Sequence, residues 1–364
     1  MSRRSCVLIA AGGTGGHIFP GLALAHELAQ LADVETIFVG TARGLEGKLV
    51  RDAGYPIELF DVRAIQGGGA AQAARGGWTA ARALGHALRF VRAKAPRVVV
   101  SVGGYAAGPV ALAAALLKVP VAVVEPNSVM GLSNRLLAPL ARRIYLAFDE
   151  ARPPFSGARV RLSGVPLRAG FAPRPSDGSS ARRVLVLGGS QGAQALNDRL
   201  PDALGRVASA GTTRRGLEVL HQAGAGRDAA VREAYARAGL PEARVIPFST
   251  ELASDLAWAD LVVARAGAGT IAEIAAVGRA SILIPYPHAA DDHQAKNAAA
   301  YANTGSAVWV RQEAADGMRL SMEIQRLLSD DEGRQRLATS ARAQGRPEAA
   351  RTIARDLVDL AEMS

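Results

Sequence analysis

Short apolar runs alternate with helical stretches along the whole chain. The runs are rich in β-branched residues and unbroken by polar side chains, which is typical of strands buried on both faces of a sheet. Helical periodicity marks the stretches between them, as at 18–31, 193–208 and 269–278. Strands are predicted at 6–10, 36–39, 98–102, 121–124, 144–147, 184–187, 218–221, 244–247, 261–264 and 281–285. This alternation predicts an α/β fold of parallel sheets with crossover helices.

The same pattern occurs twice, which predicts two similar domains. One Gly-rich strand-to-helix turn lies at 11–17 and another at 188–193. Between them, residues 164–181 are rich in Pro, Ser and Gly and are interpreted as the linker. A length of 364 residues also fits two domains. We expect an N-terminal domain over 1–164 and a C-terminal domain over 165–345, with a final helix within about 346–364 packing back on the first domain.

Composition excludes several classes of protein. Hydrophobic residues make up 49% and charged residues 21%, as in globular domains. The one cysteine, Cys6, forbids an internal disulfide and indicates a reducing compartment. The N-terminus lacks a signal-peptide layout. Residues 98–124 carry one charge, but their Gly and Pro residues predict strand, helix and strand rather than a membrane span.

The net charge of +10 is concentrated in the first half of the chain. Residues 1–164 hold 19 basic and 10 acidic side chains, and residues 62–124 hold eight basic side chains and no acidic one. Such a segment indicates an anionic partner, which could be a membrane, a nucleic acid or a phosphorylated substrate. An aromatic content of 5% argues against single-stranded nucleic acid, which needs stacking platforms.

A helix predicted at 78–94 lies in this basic segment. One of its faces carries basic side chains beside Trp78, and the opposite face is apolar. A basic face with an aromatic is typical of a membrane-interface surface, and a merely solvated face is the alternative. The basic face holds Arg82, His86 and Arg89; the apolar face holds Ala81, Leu84, Leu88 and Val91.

Four Gly-rich turns follow predicted strands, at 11–17, 103–108, 188–193 and 265–270. A Gly-rich turn that opens a helix presents backbone N–H groups at the positive end of the helix dipole, which suits phosphate. No stretch matches the P-loop pattern of NTPases. A dinucleotide-type pattern occurs at 267–272, but it also occurs at 224–229, so it is weak support for hydride transfer.

Several polar side chains are candidates for chemistry near these turns. His17 follows the first turn and suits general-base work, although a local hydrogen bond is an equal alternative. Glu125 ends a predicted strand, so it is expected to face the ligand crevice. Glu273 suits a ribose diol or favourable charge at a helix N-terminus. His288 and His293 flank two aspartates, for which a hydrogen-bonding role is favoured over a metal site.

Several motifs, in this order and spacing, closely resemble those of the MurG family. Members of that family are undecaprenyl-diphospho-muramoylpentapeptide β-N-acetylglucosaminyltransferases. The resemblance covers nearly the whole chain. Its motifs are Gly12-Gly13-Thr14-Gly15-Gly16-His17 with Pro20-Gly21, Gly103-Gly104-Tyr105, Glu125-x-Asn127, Gly188-Gly189-Ser190-Gln191-Gly192, Trp258-Ala259-Asp260, and the run from Pro285 through Asp292-His293-Gln294 to Asn297.

The resemblance implies a GT-B fold, with two Rossmann-like parallel-sheet domains facing a central cleft. It implies inverting transfer of GlcNAc from UDP-GlcNAc to the muramoyl 4-hydroxyl of lipid I, giving lipid II. It further implies no metal and no cofactor beyond the donor substrate, and a peripheral location on the cytoplasmic face of the inner membrane. An anionic membrane surface is the expected partner, and nucleic acid is not.

The resemblance also implies roles for individual residues. His17 would be the base, with Glu125 as its alternative or its orienting partner. Glu273 would bind the ribose, Ser190 a phosphate, Gln294 the GlcNAc hydroxyls, and the backbone of Ser249 the uracil. The remaining donor contacts would be Thr14, Gly15, Gly16, Asn127, Arg168, Ala268, Gly269, Thr270, Ile271 and Ala272. Gly13, Gly103, Gly104 and Tyr105 would receive the acceptor diphosphate. Independently of the resemblance, the basic face of the helix at 78–94 predicts that Trp78, Arg82 and Arg89 face the membrane.

This chain departs from the family pattern at two places. Pro126 stands between Glu125 and Asn127 where Gln is usual, and Val165 stands where Asn is usual. Two other classes remain as alternatives. One is a different enzyme of the same fold, such as a UDP-GlcNAc epimerase or a glycolipid synthase. The other is a binder of nucleic acid or anionic membrane without enzyme activity.

Overall fold

The computed structural model describes most of the chain and separates it into two compact units. Unit 1 comprises Met1–Ala169 and Glu348–Ser364, and unit 2 comprises Gly170–Pro347. The described residues are 5–12, 15–42, 46–60, 70–104, 106–155, 157–174, 182–189, 192–211 and 216–362, with the side chains of 70–80 left out.

Unit 1 is built on a seven-stranded parallel sheet. The strand order is β3-β2-β1-β4-β5-β6-β7, so the order reverses between β1 and β4. The strands are β1 Ser5–Ala11, β2 Val34–Thr41, β3 Ile57–Phe60, β4 Val98–Gly103, β5 Val121–Glu125, β6 Arg143–Leu146 and β7 Val160–Leu162. The helices between them are α1 Gly15–Leu31, α2 Glu46–Asp52, α3 Ala70–Lys94, α4 Ala107–Leu116 and α5 Leu132–Leu137.

Unit 2 repeats this plan with a six-stranded parallel sheet. Its order is β10-β9-β8-β11-β12-β13, which reverses between β8 and β11. The strands are β8 Arg182–Leu187, β9 Leu217–Gln222, β10 Arg244–Ile246, β11 Leu261–Ala264, β12 Ala280–Leu283 and β13 Val308–Trp309. The helices are α6 Gln194–Ser209, α7 Asp228–Arg237, α8 Leu252–Trp258, α9 Ala268–Val277, α10 His293–Asn303, α11 Gly317–Ser329 and α12 Asp331–Gln344.

The predicted α/β class and the ten predicted strands are confirmed, with ends that differ by one or two residues. The apolar residues of β1, β4 and β5 are buried, as expected for strands covered on both faces. Three short strands were not predicted: β3, β7 and β13. They lie at or near the sheet edges, where burial is partial and the apolar run is too short to stand out. Residues 98–124 form β4, α4 and β5, as predicted.

The final helix, α13 Ala349–Glu362, packs against α1 in unit 1. Its residues Ile353 and Leu357 are fully buried in the same core cluster as Ile9. Asp356 links it to β6, accepting hydrogen bonds from Tyr145 Oη at 2.8 Å and Arg143 Nε at 3.1 Å. The helix is therefore part of the unit 1 core.

Helix α3 differs from its prediction in three ways. It begins at Ala70 rather than Trp78. Ala81, predicted on the buried face, is exposed, and Ala83 and Ala87 are buried instead. His86, predicted on the outer face, stacks on Phe60 of β3 with ring centroids 4.5 Å apart. The inner face is thus rotated toward β3, because an unpredicted edge strand lies beneath it.

Candidate active site

In unit 1, two Gly-rich turns contact each other where the strand order reverses. Ligands of doubly wound sheets bind at this point, outside the carboxyl ends of the strands. The Gly12 N–H, after β1, donates to the Gly103 carbonyl at the end of β4 at 3.3 Å. Gly104 has a φ of +92°, and a Cβ there would overlap the Gly12 carbonyl oxygen. Glycine is required at this position because the two turns approach so closely.

His17 lies in the first turn of α1, with its ring against the second Gly-rich turn. A Cβ on Gly103 would lie 3.0 Å from both Cδ2 and Nε2 of the ring. The same point is 3.7 Å from Nδ2 of Asn134, which belongs to α5. The His17 ring is partly buried and reaches the carboxyl end of β4. A group in this place could accept a proton from a hydroxyl held at the sheet edge.

Glu125, at the end of β5, is held by four hydrogen bonds. Its Oε1 accepts from the backbone N–H and the Nδ2 of Asn127, at 3.0 and 3.2 Å. Its Oε2 accepts from the Gly131 N–H at 2.9 Å and from Asn134 Nδ2 at 3.0 Å. Asn134 Oδ1 in turn accepts from the Ser101 hydroxyl at 2.8 Å. The network joins the ends of β4 and β5 beside the His17 ring.

The surroundings of Glu125 favour a positioning role for its carboxylate. The residue is 2% exposed, and burial raises the pKa of its carboxyl. The hydrogen bonds from Asn134, Asn127 and Gly131 oppose that rise because they stabilise the charged form. A carboxylate with two donors on each oxygen keeps its neighbours in place.

Arg168 lies close to the beginning of α1 although it is far away in sequence. Its guanidinium carbon is 5.6 Å from the centroid of the Phe19 ring, two residues beyond His17. The Arg168 side chain is exposed, whereas Leu167 before it is buried. The predicted linker is therefore anchored in unit 1 at this point.

In unit 2, the N-terminus of α9 lies at the corresponding reversal point, after β11. Gly267 precedes the helix in an extended conformation. The first backbone N–H groups of a helix have no partner within it, so Ala268, Gly269 and Thr270 present donors there. A Cβ on Gly269 would meet nothing within 4 Å. This open, positively polarised end suits a phosphate or a sugar hydroxyl.

The residues of α9 that are predicted to contact the sugar nucleotide fall into two groups, one partly exposed and one buried. Gly269, Thr270, Ala272 and Glu273 are partly exposed, so their side chains or Cα atoms can face a ligand. The side chains of Ala268 and Ile271 are 7% and 3% exposed. These two residues can therefore contribute only through their backbone atoms.

The Gly-rich turn after β8 is held against the end of β9. Gly192 has a φ of +71°, and a Cβ there would overlap the Ala223 carbonyl oxygen. Gln222 Nε2 donates to the Gly189 carbonyl at 2.9 Å, and Gln222 Oε1 accepts from the Ser249 N–H at 3.1 Å. Ser249, predicted to meet uracil through its backbone, is buried and tied to the turn through Gln222.

Gln294 lies in the first turn of α10, near the N-terminus of α9. Its Oε1 accepts from the Tyr286 N–H at 2.9 Å, which fixes the side-chain amide. Asn297, one turn later on the same face, donates to the Ala266 carbonyl at 3.4 Å, just before the Gly267 turn. The structure thus brings Gln294 and the α9 N-terminus together.

Arg265 supports the loops around this end of unit 2. Its Nη1 donates to the carbonyls of Ile284 and Pro285, both at 3.1 Å, and its Nη2 donates to Gln312 Oε1 at 2.7 Å. Burial lowers the pKa of its guanidinium to about 10, so it remains charged at neutral pH. Arg265 fixes the loop that leads to Gln294.

The His288–His293 segment has hydrogen bonds and ring contacts. His293 Nδ1 lies 2.8 Å from the Ala290 carbonyl, and His288 packs edge-on against Tyr286 with centroids 5.5 Å apart. Across the described part of the chain, no three His, Cys, Asp or Glu side chains are grouped to hold a metal ion.

Some predicted site residues lie outside the described residues. They are Gly13, Thr14, Tyr105 and Ser190, together with the side chain of Trp78. The described ones form two groups. The unit 1 group holds Gly15, Gly16, His17, Gly103, Gly104, Glu125, Asn127 and Arg168, and the unit 2 group holds Ser249, Ala268, Gly269, Thr270, Ile271, Ala272, Glu273 and Gln294.

Sequence reasoning missed the residues that hold these groups in place: Asn134, Gln222 and Arg265. Asn134 occupies a position with no chemical pattern of its own, so only the folded chain reveals its role. Arg265 directly follows the predicted strand 261–264 and opens the Gly-rich turn at 265–270, so its place at the ligand edge was predictable. Gln222 had a usable signal, since a polar residue directly after the predicted strand 218–221 is expected at the ligand edge.

Both halves of the chain match family models of glycosyltransferases. Residues 7–146 match the glycosyltransferase family 28 N-terminal domain, and residues 183–354 match the glycosyltransferase family 28 C-terminal domain.

Curated relatives match nearly the whole chain. A protein of Sorangium cellulosum is 49% identical over 98% of this chain and 88% of its own length. One of Acidithiobacillus ferrooxidans is 43% identical over 98% of each chain. Both are named UDP-N-acetylglucosamine–N-acetylmuramyl-(pentapeptide) pyrophosphoryl-undecaprenol N-acetylglucosamine transferase.

Solved structures agree with these matches. Acinetobacter baumannii MurG superposes with a TM-score of 0.80 at 31% identity, covering 98% of this chain and 99% of that one. A UDP-N-acetylglucosamine 2-epimerase superposes with a TM-score of 0.66 at 12% identity, covering 100% and 98%, which shows a shared fold alone. Given the near-complete matches at 41–49% identity, the chain belongs to the MurG family of family 28 glycosyltransferases.

Proposed function

We propose that the protein transfers GlcNAc from UDP-GlcNAc to the muramoyl 4-hydroxyl of lipid I, giving lipid II. The observation that carries this proposal is the 49% identity over nearly the whole chain to a relative named for that transfer. The two groups of predicted site residues at the sheet reversal points support it, because a transferase needs one place for the donor and one for the acceptor.

In this proposal, unit 2 binds most of the donor substrate and unit 1 binds the acceptor. Unit 2 holds most of the donor: the α9 N-terminus lies beside Glu273 for the ribose and Gln294 for the GlcNAc hydroxyls. Ser190 would bind a phosphate, and the Ser249 backbone would contact the uracil. Unit 1 receives the acceptor diphosphate at Gly13, Gly103, Gly104 and Tyr105. The contact of Gly12 with Gly103 and Gly104 supports this assignment, because it places both Gly-rich turns at one edge.

The reaction is a single displacement with inversion, and His17 acts as the base. The 4-hydroxyl oxygen attacks the anomeric carbon of GlcNAc while the bond to the UDP oxygen breaks. His17 accepts the hydroxyl proton, and the carboxylate of Glu125 positions the loop beside it through Asn134. The departing diphosphate gains negative charge, which the N–H donors at the α9 N-terminus stabilise.

The proposed chemistry needs no metal ion, since backbone donors and helix dipoles perform the charge stabilisation. Full activity in excess EDTA is the expected result. Loss of activity that Mg²⁺ restores would overturn this part of the proposal.

We further propose a peripheral location on the cytoplasmic face of the membrane. None of the described helices is long and apolar enough to cross a bilayer. Helices α3, α4 and α5 pack on the same face of the unit 1 sheet. Arg82 and Arg89 of α3 are exposed there, and Leu132 and Leu136 of α5 are 59% and 69% exposed. Basic and apolar side chains on one face support contact with an anionic bilayer.

The test is incubation of the protein with UDP-GlcNAc and a lipid I analogue. The expected products are UDP and a β-1,4-linked disaccharide lipid, identified by mass and linkage. Folded protein that binds UDP but gives no disaccharide would contradict the proposal. Release of ManNAc from the donor alone would instead favour an epimerase.

A further inference from the structure

A chain of three buried polar side chains lies behind the Gly-rich turn that follows β8, and the proposed chemistry does not use it. His221 of β9 and Tyr235 of α7 are both 0% exposed, and Asn197 of α6 is 3% exposed. The surrounding core is apolar, with Leu204, Val219 and Val231 among its members. Polar groups in such a core are costly unless every one is hydrogen-bonded.

The hydrogen bonds of these side chains run in one direction. Asn197 Nδ2 donates to the Ala223 carbonyl at 3.0 Å, which leaves Asn197 Oδ1 as an acceptor. His221 Nε2 lies 3.1 Å from that oxygen, so it carries the ring hydrogen. His221 Nδ1 is then an acceptor and receives the Tyr235 hydroxyl hydrogen at 3.0 Å. A neutral ring satisfies every partner, whereas a charged ring would make the Tyr235 oxygen an acceptor and take away the acceptor of the hydroxyl hydrogen.

The chain of hydrogen bonds ends on the carbonyl against which the turn rests. The Ala223 oxygen lies where Gly192 has no room for a Cβ. The Gly192 N–H closes the turn by donating to the Gly189 carbonyl at 3.0 Å. Asn197 itself belongs to the first turn of α6, and its N–H donates to the Ala193 carbonyl at 2.9 Å. The side-chain network therefore fixes the end of the turn and the beginning of the helix together.

We propose that His221, held between Tyr235 and Asn197, is a positioning residue for the donor diphosphate. It sets the orientation of Asn197, and through Asn197 the position of Ala223, Gly192 and the N-terminus of α6. The inference rests on the proposed function, in which this turn binds a donor phosphate. It predicts that the network matters for the phosphates of the donor and not for its nucleoside.

The test compares the binding of UDP and of uridine to the whole protein by calorimetry. His221→Phe keeps an aromatic ring, although a larger one, and removes both nitrogens, and Tyr235→Phe removes one hydroxyl. Each variant is expected to bind UDP about tenfold more weakly, equal to about 1.4 kcal/mol. Uridine affinity stays unchanged. The KM for UDP-GlcNAc rises, whereas the KM for the lipid I analogue does not.

Two further variants separate positioning from general loss of stability. His221→Gln carries a donor and an acceptor at its end and is expected to restore most of the UDP affinity. Tyr301→Phe is the matched control, because Tyr301 is another buried tyrosine of unit 2 and its hydroxyl has no hydrogen-bond partner within the described ranges. It should bind both ligands as the natural protein does.

The outcomes are distinct. Equal weakening of UDP and uridine in His221→Phe and Tyr235→Phe, or unchanged UDP binding in folded Tyr235→Phe, would overturn the inference. Because Tyr235→Phe removes a single atom, it keeps the test decisive if His221→Phe does not fold. Failure of the unaltered protein to bind UDP would instead count against the proposed function.

Discussion

At the scale of single residues, His17 and Glu125 illustrate how surroundings separate two candidate bases. The sequence left both as candidate bases. His17 follows a Gly-rich turn after a predicted strand, and Glu125 ends a predicted strand, so both are expected at the ligand edge of the sheet. The structure engages both Glu125 oxygens in hydrogen bonds, whereas the His17 ring lies partly buried against Gly103. The role of each as base or positioning group remains a prediction, and replacement of His17 tests it directly.

Replacement of His17 by alanine is expected to reduce turnover by about 10²–10⁴, the usual contribution of a general base. The KM for UDP-GlcNAc should change little, because the ring is expected to act on the acceptor hydroxyl. Steady-state kinetics with both substrates measure the two effects. His26→Ala is the control, since His26 is exposed on the same helix. Unchanged turnover in His17→Ala would exclude this residue as the base.

His221 predicts a pH dependence of stability. Burial lowers the pKa of its ring from 6.5 to about 3. The unfolded state therefore binds a proton more readily between these values, and stability present above pH 6.5 is lost as the pH falls toward 3. The loss should approach about 1.4 kcal/mol per pH unit within this window. Urea unfolding at several pH values measures it, and the slope should be smaller in His221→Gln. An equal slope in both proteins would contradict this account.

At the scale of elements, the sequence predicted the central strands and missed those at the edges. An unbroken apolar run such as that of β4 marks a strand buried on both faces. Strands β7 and β13 have three and two residues and are only partly buried, so periodicity carries no signal for them. Because β3 was not predicted, the buried face of α3 was predicted wrongly: His86 packs on Phe60 of β3 instead of facing solvent. The Gly-rich turns were predictable because their residues are constrained by backbone approach.

The exposed face of α3 and α5 is expected to bind anionic vesicles. Leu132→Ser with Leu136→Ser should weaken binding to vesicles that contain anionic lipid, and Arg82→Gln with Arg89→Gln should make the remaining binding less sensitive to salt. Vesicle sedimentation measures both effects. Met318→Ser with Met322→Ser is the matched control, because these side chains are similarly exposed in unit 2. Equal losses from the control pair would argue for nonspecific apolar contact.

At the scale of the whole molecule, the two units have the same strand order but different charge. Unit 1 holds 22 basic and 14 acidic side chains, whereas unit 2 holds 21 basic and 19 acidic ones. The fold class could be predicted from the repeated alternation of strands and helices, and the family from several motifs in a fixed order and spacing. The hydrogen bonds of Asn134 to Ser101 and Glu125 could not be predicted, because nothing in the spacing of these three residues along the chain links them.

Because α13 packs in the core of unit 1, a substitution in its buried face is expected to destabilise unit 1. Leu357→Ala should cost about 2–5 kcal/mol because it leaves a cavity between α13 and α1. Arg355→Ala on the exposed side of the helix should change stability by less than about 0.5 kcal/mol. Hydrogen exchange under native conditions should show the loss of protection in unit 1 alone. Equal loss in unit 2 would mean that the two units unfold together.

The path of the chain has a consequence for its synthesis. A ribosome makes β1 and α1 early, but α13, which covers Ile9 and Leu24, is made only after all of unit 2. Domains generally fold as units while the chain emerges. We therefore expect unit 2 to complete its fold first, while the nascent unit 1 keeps an uncovered apolar groove. A protein truncated before residue 349 would lack α13, so the apolar groove would stay uncovered as a surface that chaperones or proteases can recognise.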